Sequence, residues 1–145
     1  MGISNDAQEF LEAARIVRAQ KPLTFAPMYF LACQSIELSF KAYLRGCGQS
    51  DDDLRKIGHD LDRCAHAAIE AGIERHIRLS KDDVAAIALA NPHYRSRDFQ
   101  YSRTGFKTWP RIDALIDLAQ RLWENLRAFC IANREQHFGK PSAIV

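Results

Sequence analysis

Long apolar runs are missing from this sequence. Charged residues interrupt every candidate before it approaches the roughly 20 residues needed to cross a bilayer, so no membrane-spanning helix is expected. Paired cysteines are missing as well. Cys33, Cys47, Cys64 and Cys130 form no C-x-x-C pair, and three of them sit inside helical apolar patterns. They read as small reduced hydrophobes and not as a disulfide framework, which fits a cytoplasmic compartment. Charge of one sign is scarce: 20 basic and 18 acidic residues leave a formal charge of +2, too little to imply nucleic-acid binding by bulk charge. His66, His76, His93 and His137 are scattered without an H-E-x-x-H motif or a Cys/His cluster, so neither metal nor cofactor is expected. Residues 1–20 carry early acids and a helical period where a secretory leader would have a basic start and an apolar core, so no leader is expected. No period-two strand of useful length, internal repeat or low-complexity stretch interrupts the 145 residues, which the length prior assigns to one domain.

What is present is amphipathic helix. The first stretch runs from Asn5 or Asp6 to Ala19 with Phe10, Ala13, Ala14 and Val17 on one face, and Pro22 closes it. The second starts near Pro27, harmless in a first turn, and stops at Gly46 and Gly48. An acidic "SDDDLRK" from Ser50 predicts one or two helical turns ending at Gly58. The third helix opens at "GHDL" with Asp60 as cap, buries Leu61, Cys64, Ala65 and Ala68, and ends at Gly72. Ser80 and Asp83 form a capping box for a fourth helix through Val84, Ile87 and Ala88, which Asn91-Pro92 should stop. The fifth begins at Pro110, capped by Thr108 or Trp109, and reaches about Arg134. Its stripe is Ile112, Leu115, Ile116, Ala119, Leu122, Trp123, Leu126, Phe129 and Cys130. Leu118 and Leu122 widen that apolar arc, which predicts a partner helix and so a homodimer. The expected fold is an all-α, up-and-down bundle of four to five helices over residues 1–135, with a frayed tail at 136–145.

One feature of the second helix is not explained by packing. Within "YFLACQSIELSFKAYLRGCG", Gln34, Glu37, Lys41 and Arg45 recur at spacings of three, four and four, a charged seam on a helix that is otherwise apolar. Followed by "GHDLDRCAHAAIEAG", this segment resembles the HEPN domain superfamily (higher eukaryotes and prokaryotes nucleotide-binding). Gln34, Glu37, Lys41, Ala42, His59 and Leu61 occupy the positions of its Gln/Ala-x-x-Glu-x-x-x-Lys-Ala helix and His-x-Leu turn, over about 45 residues. The resemblance implies a helical bundle that pairs as a homodimer. Many such proteins resemble metal-independent ribonucleases with an Arg, four to six residues, then a His. No Arg here has a His at that spacing: Arg55 and His59 are separated by three residues, Arg134 and His137 by two. Cleavage needs an imidazole to move the 2′-hydroxyl proton and a guanidinium to stabilise the phosphorane, so nuclease activity is not expected from that motif.

Three roles fit the seam. His59, or the backbone around it, can satisfy Glu37 and lock the second helix to the third; the seam can line a polar pocket for a phosphate or base; or it can lie in a dimer interface. A second candidate is "HYRSRDFQYSRTGFKTWPR", residues 93–111, where Arg95, Arg97, Arg103, Lys107 and Arg111 alternate with Tyr94, Phe99, Tyr101, Phe106 and Trp109. The connection is long enough to be functional or packed on the domain. Its aromatics can plug the end of the bundle, or its arginines can hold phosphates while Tyr101 stacks a base. The leading expectation is a non-catalytic module that holds a nucleotide or RNA phosphate on Arg95, Arg97 and Arg103. The alternatives are a ribonuclease rearranged around His59 or His93, and a subunit that binds a partner protein from a neighbouring gene.

Overall fold

The computed structural model of the chain describes residues 2–20, 25–95 and 109–138, with side chains as far as 133. Among them are six α-helices and no strand: α1 (Ile3–Gln20), α2 (Phe25–Gly46), α3 (Asp51–Ile57), α4 (Leu61–Glu70), α5 (Lys81–Arg95) and α6 (Ile112–Phe138). A single 3-10 turn, Ile73–Arg75, links α4 to the approach of α5. The all-helical bundle is the expected class, with one helix more than the sequence reading counted because the acidic segment forms a complete α3.

α2 is the central rod. It packs against α1, α6 and α4, and it is buried around much of its circumference, from Met28 and Ala32 to Ile36, Phe40, Tyr43 and Leu44. Small residues let α1 approach closely: Ala7, Ala14 and Ala32 are fully buried, and the Ser35 hydroxyl donates to the Ala7 carbonyl at 2.7 Å. The buried line of α1 is therefore Ala7, Leu11 and Ala14, while Phe10, Ala13 and Val17 are only half-buried. Of the expected stripe, Ala14 is fully buried, and the buried face is turned from Phe10, Ala13 and Val17 toward Ala7 and Leu11.

Local signals set most helix ends. α2 closes with Gly48 at φ +104°, where the Gly48 N–H reaches the Arg45 carbonyl and the Gln49 N–H reaches the Leu44 carbonyl, the paired bonds of a Schellman cap. Ser50 and Asp53 exchange the two bonds of a capping box on α3, and Ser80 and Asp83 do the same on α5. Asp60 caps α4 through the Arg63 N–H at 3.1 Å, and the inner face of α4 is Leu61, Cys64, Ala65 and Ala68 as expected.

Three expectations fail here. α5 does not stop at Asn91-Pro92: it runs through Pro92 to Arg95. Proline removes one backbone donor, but side chains on both sides of it are bonded to other helices, and that tertiary hold carries the helix one further turn. The same hold turns α5 so that Asp83, Ala86, Ile87, Ala90, Asn91 and Tyr94 face inward, while Val84 and Ala88 are exposed. The wide arc of α6 is not surplus either. Leu118 and Leu122 are both fully buried within the single chain, against a core that α5 completes, so they do not mark a partner face. Finally, α6 begins at Ile112 and not Pro110, and continues past Arg134 to Phe138, through the first residues of the expected tail.

Candidate functional site

Glu37 points from the middle of α2 toward the α3–α4 turn and the last turn of α5, with a side chain only 2% exposed. Three elements supply its partners. Oε2 accepts from Lys41 Nζ at 3.0 Å, one turn along α2. Oε1 meets His59 Nδ1 at 2.9 Å and accepts from the Tyr94 hydroxyl at 2.7 Å. The Gln34 amide oxygen meets the same hydroxyl. Lys41 also donates to the Gly58 carbonyl at 2.8 Å, so its ammonium bridges α2 to the residue before His59. Gly58 sits at φ +66°, a left-handed conformation that a glycine adopts without strain and that turns its carbonyl into the cluster's reach.

Both carboxylate oxygens of Glu37 are therefore occupied, and the seam answers to the first of its three roles: it ties α2, the α3–α4 turn and α5 together. Arg45 does not belong to it. One turn beyond Lys41, Arg45 pairs instead with Asp51 at the start of α3, at 2.7 Å. The sequence reading missed Tyr94, which it placed in a loop after Pro92. Carrying the helical register through the proline would have aligned Tyr94 with Ile87, Ala90 and Asn91 and placed it inward.

Asn91 forms a second knot beside the first. Its amide oxygen accepts from the Leu61 N–H at 2.8 Å, and its nitrogen donates to Asp60 Oδ1 at 3.0 Å and to Asp62 Oδ2 at 2.9 Å. Arg95 adds an ion pair to Asp60 Oδ2 at 3.5 Å while its side chain stays 61% exposed. The start of α4 is thus held by the end of α5 through one side chain that accepts and donates at once.

Burial sets the chemistry that these groups can do. It pushes the Tyr94 hydroxyl far above the usual phenol range, and the Glu37 charge adds to the rise, so Tyr94 is a fixed donor and not a base. Burial also pushes the Cys64 thiol up to about 12, and Cys33 higher still, which leaves both inert beside the cluster. His59 differs: with Nδ1 held on Glu37, 64% of its side chain remains exposed. A neutral imidazole that donates from Nδ1 presents Nε2 as an acceptor.

The segment 93–111 is described only at its two ends. Arg97, Tyr101 and Arg103 lie outside the described residues, as do Phe99, Phe106 and Lys107. At its start, His93 and Tyr94 are helical and buried. At its end, the Trp109 ring stacks on His93 at 3.9 Å with 9° between the planes, and meets Tyr29 at 5.1 Å. Tyr29 donates to the Pro110 carbonyl at 2.5 Å. Trp109 thus lies against the same last turn of α5 that ends at Arg95. His93, one of two histidines considered for catalysis, is only 4% exposed and lies under the indole, so it has no access to a substrate hydroxyl.

Among the described residues there is no group of three or more His, Cys, Asp or Glu side chains able to hold a metal ion, and no helix long and apolar enough to cross a membrane. Comparison with known proteins adds no relative: no family model, no curated protein and no solved structure matches this chain.

Proposed function

We propose that this chain is a HEPN-like bundle that works by binding, holding a nucleotide or an RNA phosphate on the basic and aromatic segment between Arg95 and Trp109. The observation that carries the reading is the meeting of that segment's two ends: Trp109 rests on His93, two residues before the exposed Arg95. Arg95, Arg97 and Arg103 neutralise phosphates and Tyr101 stacks a base, the combination of charge and flat surface that single strands require. The family reading draws support from Gln34, Glu37, Lys41 and His59, which share one hydrogen-bonded group and so answer to more than helical periodicity. Pairing into a homodimer belongs to the same proposal, and light scattering at tens of micromolar protein is its check.

Titration of a short fluorescent single-stranded RNA against the protein at several salt concentrations tests the binding. Affinity should fall as salt rises, and Arg97→Ala should reduce the slope of log affinity against log salt by about 0.7, the single-strand value for one phosphate contact. Affinity indifferent to salt and to Arg97→Ala would remove the proposal.

A second reading, a ribonuclease with a rearranged site, rests on one observation. A buried carboxylate holds an exposed imidazole, as a general base requires. Prolonged incubation of several RNAs with chelator present separates the two: cleavage lost in His59→Ala supports the enzyme, and intact RNA excludes it.

A further inference from the structure

Gly46, the last residue of α2, lies against Phe129 of α6: a Cβ added at Gly46 would stand 2.7 Å from a carbon of that ring. The same ring meets Tyr43, less than one turn earlier on α2, with centroids 5.1 Å apart. A glycine is what allows the end of α2 to come this near to α6. A cysteine follows each member of the contact, Cys47 after Gly46 and Cys130 after Phe129. Cys130 is half-buried and lines the same cleft as Gly46, while Cys47 is exposed in the turn beyond the helix.

The ionisation of these groups reports the same proximity. Burial and, after it, a negative charge on Cys47 push the Cys130 thiol up to about 11. Burial, a hydrogen bond with Cys47 and the charges of Cys47 and Cys130 push the Tyr43 hydroxyl up to about 12, with Arg75 opposing. Tyr43, Cys47 and Cys130 therefore share one neighbourhood, and Tyr43 is fixed there by donating to the Ala71 carbonyl at 2.9 Å. The other two thiols are elsewhere: Cys33 and Cys64 are sealed in the core. A disulfide requires Cα atoms within about 7 Å. The turn that carries Cys47, followed by Gly48 at φ +104°, is the backbone that closes onto α6 without unwinding a helix.

We propose that Cys47 and Cys130 form a reversible disulfide that clamps the end of α2 to α6 when the chain meets a small-molecule disulfide. Exposed Cys47 is the entry thiol: as thiolate it attacks one sulfur of the small disulfide, forms a mixed disulfide and releases one thiolate. Half-buried Cys130 then gives up its proton to solvent and attacks the Cys47 sulfur, releasing the second thiolate. Two protein thiols are oxidised, the small disulfide is reduced to two thiols, and the two protons end on them. Because the Cys130 thiol is raised, the second step is the slower one near neutrality and quickens as the pH rises. The clamp is separate from the RNA-binding reading and does not depend on it.

Oxidised glutathione is the probe, added to the full chain, after which free thiols are alkylated in denaturant and the peptides mapped without reduction. The expected product is a single chain lighter by two hydrogens, with the Cys47 and Cys130 peptides joined and Cys33 and Cys64 alkylated. Reduction should restore both thiols. The bond closes a loop of about 80 residues, so the oxidised chain should melt at a higher temperature. Cys130→Ser should stop at glutathione held on Cys47. Cys47→Ser, an exposed substitution checked for unchanged circular dichroism, should stay unmodified over the time in which the native chain closes. A native chain that stays reduced, stops at glutathione on Cys47, joins two chains through Cys47, or bonds either residue to Cys33 or Cys64 would overturn the proposal. So would a Cys47→Ser protein modified as fast as the native chain, or a joined chain that melts no higher, since the bond would then clamp nothing.

Discussion

Glu37 brings a carboxylate into the packed side of α2, and Lys41, His59 and Tyr94 meet it there. Burying a charge is costly, and what offsets the cost is that every oxygen has a donor and the nearest charge is opposite in sign. Removing one partner should therefore cost more than the bond itself is worth. Tyr94→Phe should lower stability by about 1–3 kcal/mol, and Lys41→Met by up to about 3–5 kcal/mol, since the latter strands the carboxylate. Urea denaturation measures both; losses below ~0.5 kcal/mol, typical of a surface site, would mean that water satisfies Glu37 instead. A second buried carboxylate gives a pH signature. Burial alone would raise the Asp83 carboxyl, but hydrogen bonds from Arg121 and from Ser80 outweigh it and hold the group below its usual range. The folded state thus resists protonation that the unfolded chain, with a value near ~3.9, accepts. Stability from the Asp83–Arg121 clamp is complete above about pH 5 and is lost as the pH falls through the depressed folded value below ~4. Asp83→Asn should be less stable at neutral pH and lose less stability between pH 5 and 3. An identical pH slope in both proteins would contradict the assignment.

At the scale of elements, Asn91 ties the end of α5 to the start of α4 through three hydrogen bonds. Asn91→Ala leaves the Leu61 N–H without its partner and takes one donor each from Asp60 and Asp62, and should cost about 1–3 kcal/mol. Pro92→Ala should do the opposite, because the helix already runs through this position and regains a backbone donor. A gain of up to about 3 kcal/mol is expected, and thermal melts distinguish the pair. A destabilised Pro92→Ala protein would mean that the proline shapes the turn that delivers Tyr94. These two residues also show what the sequence disclosed and what it withheld. The helix start at Ser50, the capping box at Ser80, the Asp60 cap and the inner face of α4 were legible because each rests on contacts within a few residues. The course of α5 was not, because proline's local effect is overridden by bonds to residues about 30 and about 57 positions away. The polar seam was legible as a line on one helix. Its division into a Glu37 cluster and a separate Arg45–Asp51 pair was not, since periodicity carries no information about which turn folds back on which residue. The dimer face inferred from Leu118 and Leu122 failed for the same reason: both are buried in the chain's own core, and periodicity does not say which elements close over them.

Across the whole molecule, the Glu37 cluster holds the scaffold at the middle of α2. At one end of α2 the last turn of α5 gathers Arg95, His93 and Trp109. The near-neutral balance of +2 conceals a locally basic stretch from Arg95 to Arg111. The central claim is that the cluster is a structural tie and that the segment between Arg95 and Trp109 contacts the ligand. RNA affinity measured side by side for the native chain, Arg97→Ala with Arg103→Ala, and His59→Ala tests it most directly. Loss of at least about tenfold in the double-arginine variant is expected, as removal of two phosphate contacts requires, with His59→Ala binding as the native chain does. Equal binding by the arginine variant, or a loss confined to His59→Ala, would contradict it.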